Sequence, residues 1–95
     1  MANSTKCVLE HKKQQIKYPE ARVIVLDDNF NTFQNVANSL FTIIPEMSEN
    51  KAWELTIKVD KSGSAIVWRG ILEQAELYHE QLTSRGLTMA PIEKI

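Results

Sequence analysis

The sequence predicts a single two-layer α+β domain, its elements running β-α-α-β-α-β to give three helices on a three-stranded antiparallel sheet. Three observations lead there. A chain of 95 residues has room for one core and a tail. Its apolar pattern switches between short β-branched runs and helical stripes. Each switch is marked by a turn or cap residue. The domain is expected over residues 22–95, behind a flexible N-terminal arm over residues 1–21.

The arm shows no period, carries scattered Lys and Gln, and ends at Tyr18-Pro19, where proline disfavours helix. Val23-Ile24-Val25-Leu26 is apolar at both parities, the pattern of a strand covered on both faces. Asp27-Asp28-Asn29 stops it. Asn31-Thr32 offers a capping oxygen to a helix whose Phe33, Val36, Ala37, Leu40 and Ile44 share one face, and Pro45 ends that helix. Ser48 caps a second helix with an Ala52, Leu55, Val59 stripe and an adjoining Trp53, Ile57 stripe, running down at Ser62-Gly63. Ser64–Arg69 reads as the second strand. Gly70 then opens a third helix with Ile71, Ala75, Tyr78 and Leu82 aligned, and Gly86 is its left-handed end. Leu87–Ile92 reads as the closing strand, Pro91 placing it at an edge.

Composition excludes several classes. With 43% apolar and 24% charged residues the chain is not disordered throughout. Its cations concentrate at the start, where Lys6, Lys12, Lys13, Lys17 and Arg22 face only Glu10 and Glu20, so the remainder is acidic. Such a body disfavours nucleic acid and favours a cationic ligand. Cys7 is the only cysteine, which removes an intramolecular disulfide and a thiolate zinc site and points to a reducing compartment, the cytoplasm. No apolar run approaches the ~20 residues of a membrane span, and no signal peptide is legible. Asp27-x-Asn29-x-Asn31 mimics the opening of a calcium loop, but Thr32 stands where glycine is required and Asn38 where the bidentate Glu is required. No catalytic motif occurs, so no enzyme is expected. His79 reads as part of a solvated helix face, and Trp53 and Trp68 as core-edge aromatics.

The segment V-I-V-L-D-D-N-F-N-T-F-Q-N-V (Val23 to Val36) closely resembles the opening strand and pocket turn of ClpS adaptors, especially those of cyanobacteria. Ala52-Trp53-Glu54-Leu55-Thr56, the run from Glu73 to Leu82 (E-Q-A-E-L-Y-H-E-Q-L), and Gly86-Leu87-Thr88-Met89-Ala90-Pro91 resemble the same branch. The likeness spans 22–95 in order; the arm stands outside it. It implies an adaptor, without cofactor or chemistry of its own. Such a protein recognises substrates beginning with Leu, Phe, Tyr or Trp and delivers them to the Clp unfoldase that feeds ClpP.

The resemblance also implies roles. Asp27, Asp28 and Asn29 align with the amine-binding turn, Asp28 being the carboxylate expected to bond the α-ammonium, and Phe30 is the turn's aromatic, at the side-chain pocket. Phe33, Val36, Thr56 and Val59 line that pocket, with Thr88 and Met89 near its edge. Phe33 replaces a frequent Met, a stiffer wall that narrows the choice of side chain. Asp60 stands where the family has a His that contacts the amine. Convergence of Asp27, Asp28 and Asp60 is expected to raise at least one carboxyl pKa when the pocket is empty, and binding to weaken as pH falls and salt rises. Glu73, Glu76 and Tyr78 align with the surface that docks on the N-terminal domain of a ClpA- or ClpC-type chaperone. A monomer is expected. A divergent regulator that docks on the chaperone without holding ordinary N-terminal residues stays open, as does a metal-dependent enzyme built on the carboxylate turn.

Overall fold

The computed structural model describes residues 17–95. Its elements are β1 (Glu20–Leu26), α1 (Phe33–Ile43), α2 (Glu49–Ser62), β2 (Ser64–Ile71), α3 (Leu72–Ser84) and β3 (Glu93–Lys94). The order is the β-α-α-β-α-β expected. The sheet is antiparallel, with β1 between β2 and β3. Residues 1–16 of the expected arm lie outside the described residues, and the arm's last two positions, Glu20 and Ala21, already belong to β1.

Both helices entering the site start where their caps predict. Thr32 accepts from the Asn35 backbone N–H at 3.0 Å, and Ser48 from that of Lys51 at 3.1 Å. Gly63 ends α2 at φ 88, a left-handed conformation that glycine adopts without a Cβ penalty. The core forms between the helices and one sheet face. Ala21, Val23 and Val25 from β1 meet Leu40 of α1, Leu55 and Val59 of α2, and Ala75 and Leu82 of α3.

Four boundary or burial expectations are corrected. β1 is covered on one face only: Arg22, Ile24 and Leu26 alternate with the buried residues and stay part-exposed. Ile24 pairs with Ile66 across the strands, so two β-branched side chains shield each other where no helix lies. β2 runs on through Gly70 and Ile71, and α3 begins at Leu72, whose N–H donates to the Pro19 carbonyl at 2.8 Å. The closing strand is Glu93–Lys94, preceded by a single bridge from Met89 to Val25, because Pro91 interrupts the pairing expected over Leu87–Ile92. His79 is half-buried and not part of a fully solvated face: its Nε2–H donates to the Ala90 carbonyl at 2.9 Å and fastens that segment to α3.

A bulge opposite Val23 and Ile24 leaves Val67 without a ladder partner and places it and Trp68 on the helix side. There Trp68 meets Tyr78 edge to face, ring centroids 4.9 Å apart. The indole lies across Gly70, where an added Cβ would sit 2.6 Å from Trp68 Cζ2. Gly70 is a packing requirement and not a helix opener. Gly70→Ala is expected to destabilise by about 1–3 kcal/mol through displacement of the indole. Urea denaturation monitored by tryptophan fluorescence checks this.

Candidate functional site

The polar turn after β1 is tied to two distant segments. Leu26 N–H donates to the Thr88 carbonyl and Asp27 N–H to that of Gly63, both at 2.9 Å. The end of β1, the end of α2 and the 86–89 segment therefore meet at one point.

Asp28 organises it. Oδ1 accepts the backbone N–H groups of Phe30 (2.9 Å) and Asn31 (2.8 Å), while Oδ2 accepts the Asn31 amide and the Thr88 hydroxyl, both at 2.7 Å. Asn31 also donates to the Gly86 carbonyl at 2.9 Å and accepts from the Asn35 side chain. The carboxylate has two donors on each oxygen, which nearly exhausts its accepting capacity. Its pKa is held well below the usual carboxylate range, first by the Asn31 N–H, then by the Thr88 hydroxyl, against a smaller opposing effect of burial. Crowding was expected to raise at least one carboxyl of this cluster; at Asp28 the shift runs the other way, because hydrogen bonds to the charged form dominate.

A folded-state pKa below the unfolded value stabilises the fold above the unfolded value near 3.8, and the contribution is lost as pH falls through the folded one. Denaturant titrations from neutral pH down to about pH 2 are expected to show stability falling below about pH 4. In Asp28→Asn that fall is shallower.

Beside the turn lies a pocket of about 50 Å³. Buried Val25, Val36, Val59 and Leu87 make its apolar wall, and Phe33, 44% exposed, stands at its mouth. Thr56 is buried in the wall with its hydroxyl donating to the Ala52 carbonyl at 2.8 Å, so it offers little polarity to a ligand. Asp27, Asp28 and Asp60 line the same pocket with Asn31 and Thr88, and among the described residues no Lys or Arg does. The arrangement suits a small ligand that is cationic at one end and apolar at the other.

Of the residues singled out in the sequence, Asp27, Asp28, Phe33, Val36, Thr56, Val59, Asp60 and Thr88 are brought together here. Asn29 and Phe30 sit exposed at the tip of the turn, Phe30 91% so, and Met89 bridges to β1 outside the lining. Asn31 and Leu87 were missed. The sequence presents Asn31 as a helix cap and as the third position of a failed calcium loop, and Leu87, directly after the left-handed Gly86, carries only a strand signal. Glu73 and Glu76 are exposed on α3, whereas Tyr78 is half-buried against Trp68.

Residues 16–90 match the family model described as "ATP-dependent Clp protease adaptor protein ClpS". The chain belongs to the ClpS family. Curated ClpS adapter proteins from cyanobacteria resemble it over most of their length. That of Thermosynechococcus vestitus is 56% identical over 89 residues, covering 90% of this chain and 95% of the relative. That of Synechocystis sp. is 60% identical over 77 residues, covering 81% and 79%. The first of these alignments is longer than the folded core and so reaches into the arm, beyond the residues 22–95 over which the sequence alone shows the likeness. Among solved structures, Agrobacterium tumefaciens ClpS2 bound to L-phenylalaninamide superposes with a TM-score of 0.77, covering 83% of this chain and 100% of that one. At 21% identity that ClpS likeness is one of fold. Among the described residues no helix is long and apolar enough to cross a membrane.

Proposed function

We propose that this ClpS protein holds substrates by their first residue, Leu, Phe, Tyr or Trp, and hands them to a ClpC- or ClpA-type chaperone-protease. It does so without chemistry or cofactor of its own. The observation that carries this reading is the pocket that sets three aspartates beside an apolar wall with no cation among them. An N-terminal residue supplies the complement: an α-ammonium and one large side chain. L-Phenylalaninamide, the ligand of the Agrobacterium neighbour, has both.

In this reading Asp27 and Asp60 take the ammonium directly, with Asn29 at the outer side of the turn. Asp28, its oxygens already engaged, holds the turn and adds charge. Asp60, where the family pattern has histidine, offers the ammonium a full opposite charge in place of a neutral ring nitrogen, which adds Coulomb attraction to a hydrogen bond that is charge-assisted with either partner. Phe33, Val36, Thr56 and Val59 enclose the side chain, Thr88 closes the pocket, and Phe30 and Met89 flank it. Burial of the side chain and the charged hydrogen bonds each contribute about 1.5–3 kcal/mol, which after the cost of association gives roughly micromolar affinity. Glu73 and Glu76 with the free edge of Tyr78 dock on the chaperone's N-terminal domain, and the residues ahead of Glu20 are the arm that the unfoldase engages. The protein acts as a monomer in the cytoplasm.

Fluorescence anisotropy of labelled peptides starting with Leu, Phe, Tyr, Trp or Ala, each with a free or acetylated terminus, tests the reading. Acetylation is expected to weaken binding at least about tenfold, through loss of a charged hydrogen bond, and Ala-started peptides to bind weakly. Equal binding of free and acetylated peptides would overturn amine capture. A degradation assay with a Phe-started reporter then separates an adaptor, which accelerates its loss, from a regulator that only occupies the chaperone.

A further inference from the structure

The larger of the two described cavities is not the pocket at the carboxylate turn. It is an open groove of about 320 Å³ on the outer side of the α1–α2 pair. Gln34, Ala37 and Phe41 of α1 form one bank, and Glu49, Ala52 and Trp53 of α2 the other. Phe41 and Trp53 are 45% and 41% exposed, large aromatic faces left partly open by the described residues. Among the described residues Glu49 is the only charged one lining the groove, and it takes part in no salt bridge with any of them.

The groove and the first pocket share no lining residue but adjoin along the same helix pair. Both are walled by the same two helices, Ala37 following Val36 on α1, and Ala52 lying one turn before Thr56 on α2. At about 1.5 Å of rise per residue, stepping from Thr56 to Ala52 and from Asp60 to Trp53 moves roughly 6–10 Å along α2. An extended peptide advances about 3.3 Å per residue. A chain whose first residue sits at Asp27 and Asp60 thus reaches the groove with its third or fourth.

We infer that the α1–α2 groove is a second subsite for the bound substrate, taking a lysine or arginine side chain from its third or fourth residue. The inference rests on the N-terminal-residue reading above. Trp53 and Phe41 offer ring faces to the cation and its methylene stem, and Glu49 offers the opposite charge at the rim. An acidic side chain there would meet Glu49 without compensation.

The test is anisotropy with Phe-started peptides carrying Arg, Ala or Glu at positions three and four, against the wild type, Trp53→Ala, Glu49→Lys and, as a control for net charge, Glu80→Gln. Arg is expected to bind roughly threefold to tenfold more tightly than Ala, and Glu less tightly than Ala. Trp53→Ala and Glu49→Lys erase the Arg preference while the Ala peptide binds as before, and Glu80→Gln keeps it. Thermal melts of the variants establish that each is folded. Equal affinity for Arg, Ala and Glu peptides, or a preference that survives both groove substitutions, overturns the subsite and leaves first-residue binding standing. If no Phe-started peptide binds in any variant, the first-residue reading fails and the subsite with it. Binding of the chaperone's N-terminal domain that is lost in Trp53→Ala, with no effect on peptides, assigns the groove to the chaperone instead.

Discussion

Asp28→Ala is expected to weaken binding of a Phe-started peptide at least about fiftyfold and to lower the melting temperature by roughly 8–16 °C. Four donors converge on this one carboxylate, two of them backbone N–H groups of the turn and one the hydroxyl of Thr88. Alanine leaves all four to water or to nothing. The turn is partly exposed, so water replaces some of the loss, and about 2 kcal/mol is the reasonable cost, close to that of a deleted helix cap. At ~4–8 °C per kcal/mol for a domain of this size, the melting shift follows. Binding suffers twice, because the pocket loses a negative charge and the bond that holds Thr88 against the turn. Calorimetry and anisotropy on one sample apportion the two. Lost binding with an unchanged melting temperature would mean that Asp28 meets the ammonium itself and does not act through the turn.

Leu82→Ala is expected to cost about 3–5 kcal/mol, read as a lower urea midpoint at unchanged slope. Leu82 is fully buried in the core cluster that the three helices share with the sheet, so truncation leaves a cavity that packed neighbours fill only in part. Against a total stability of ~5–10 kcal/mol for such a domain, that leaves a large unfolded fraction on modest warming. Leu77→Ala on the same helix is the contrast. Leu77 is 49% exposed, and its truncation is expected to change stability by no more than about 0.5 kcal/mol.

Local signals made most of this fold legible, and failed where a partner decided the outcome. Ser48, Thr32 and Gly63 act within a few residues, so caps and helix ends were readable. The apolar run Val23–Leu26 fits a doubly covered strand equally well, and only the placement of all three helices on one side leaves Ile24 facing out. Gly70 looked like a helix opener because its actual constraint, the indole of Trp68, comes from a bulge that no pattern announces. His79 looked solvated because its acceptor, the Ala90 carbonyl, is brought to it by the closing segment. At the site, the aspartates were readable as a polar interruption after a strand. Their convergence with Asp60 and Thr88 depends on Asp27 meeting Gly63 and Leu26 meeting Thr88, contacts with no local trace.

The clasp between Asp28 and Thr88 joins residues sixty positions apart. Pairings that distant pay their loop-closure entropy before any contact rewards it, which places them late in folding. During synthesis, β1, both helices of the pair and α3 are all made before Thr88 and Leu87 exist to complete the pocket. A half-made chain therefore offers an open cleft and not a receptor. On the function proposed above, competence to hold a terminus arrives only with these last contacts, so the receptor and the finished fold are completed together.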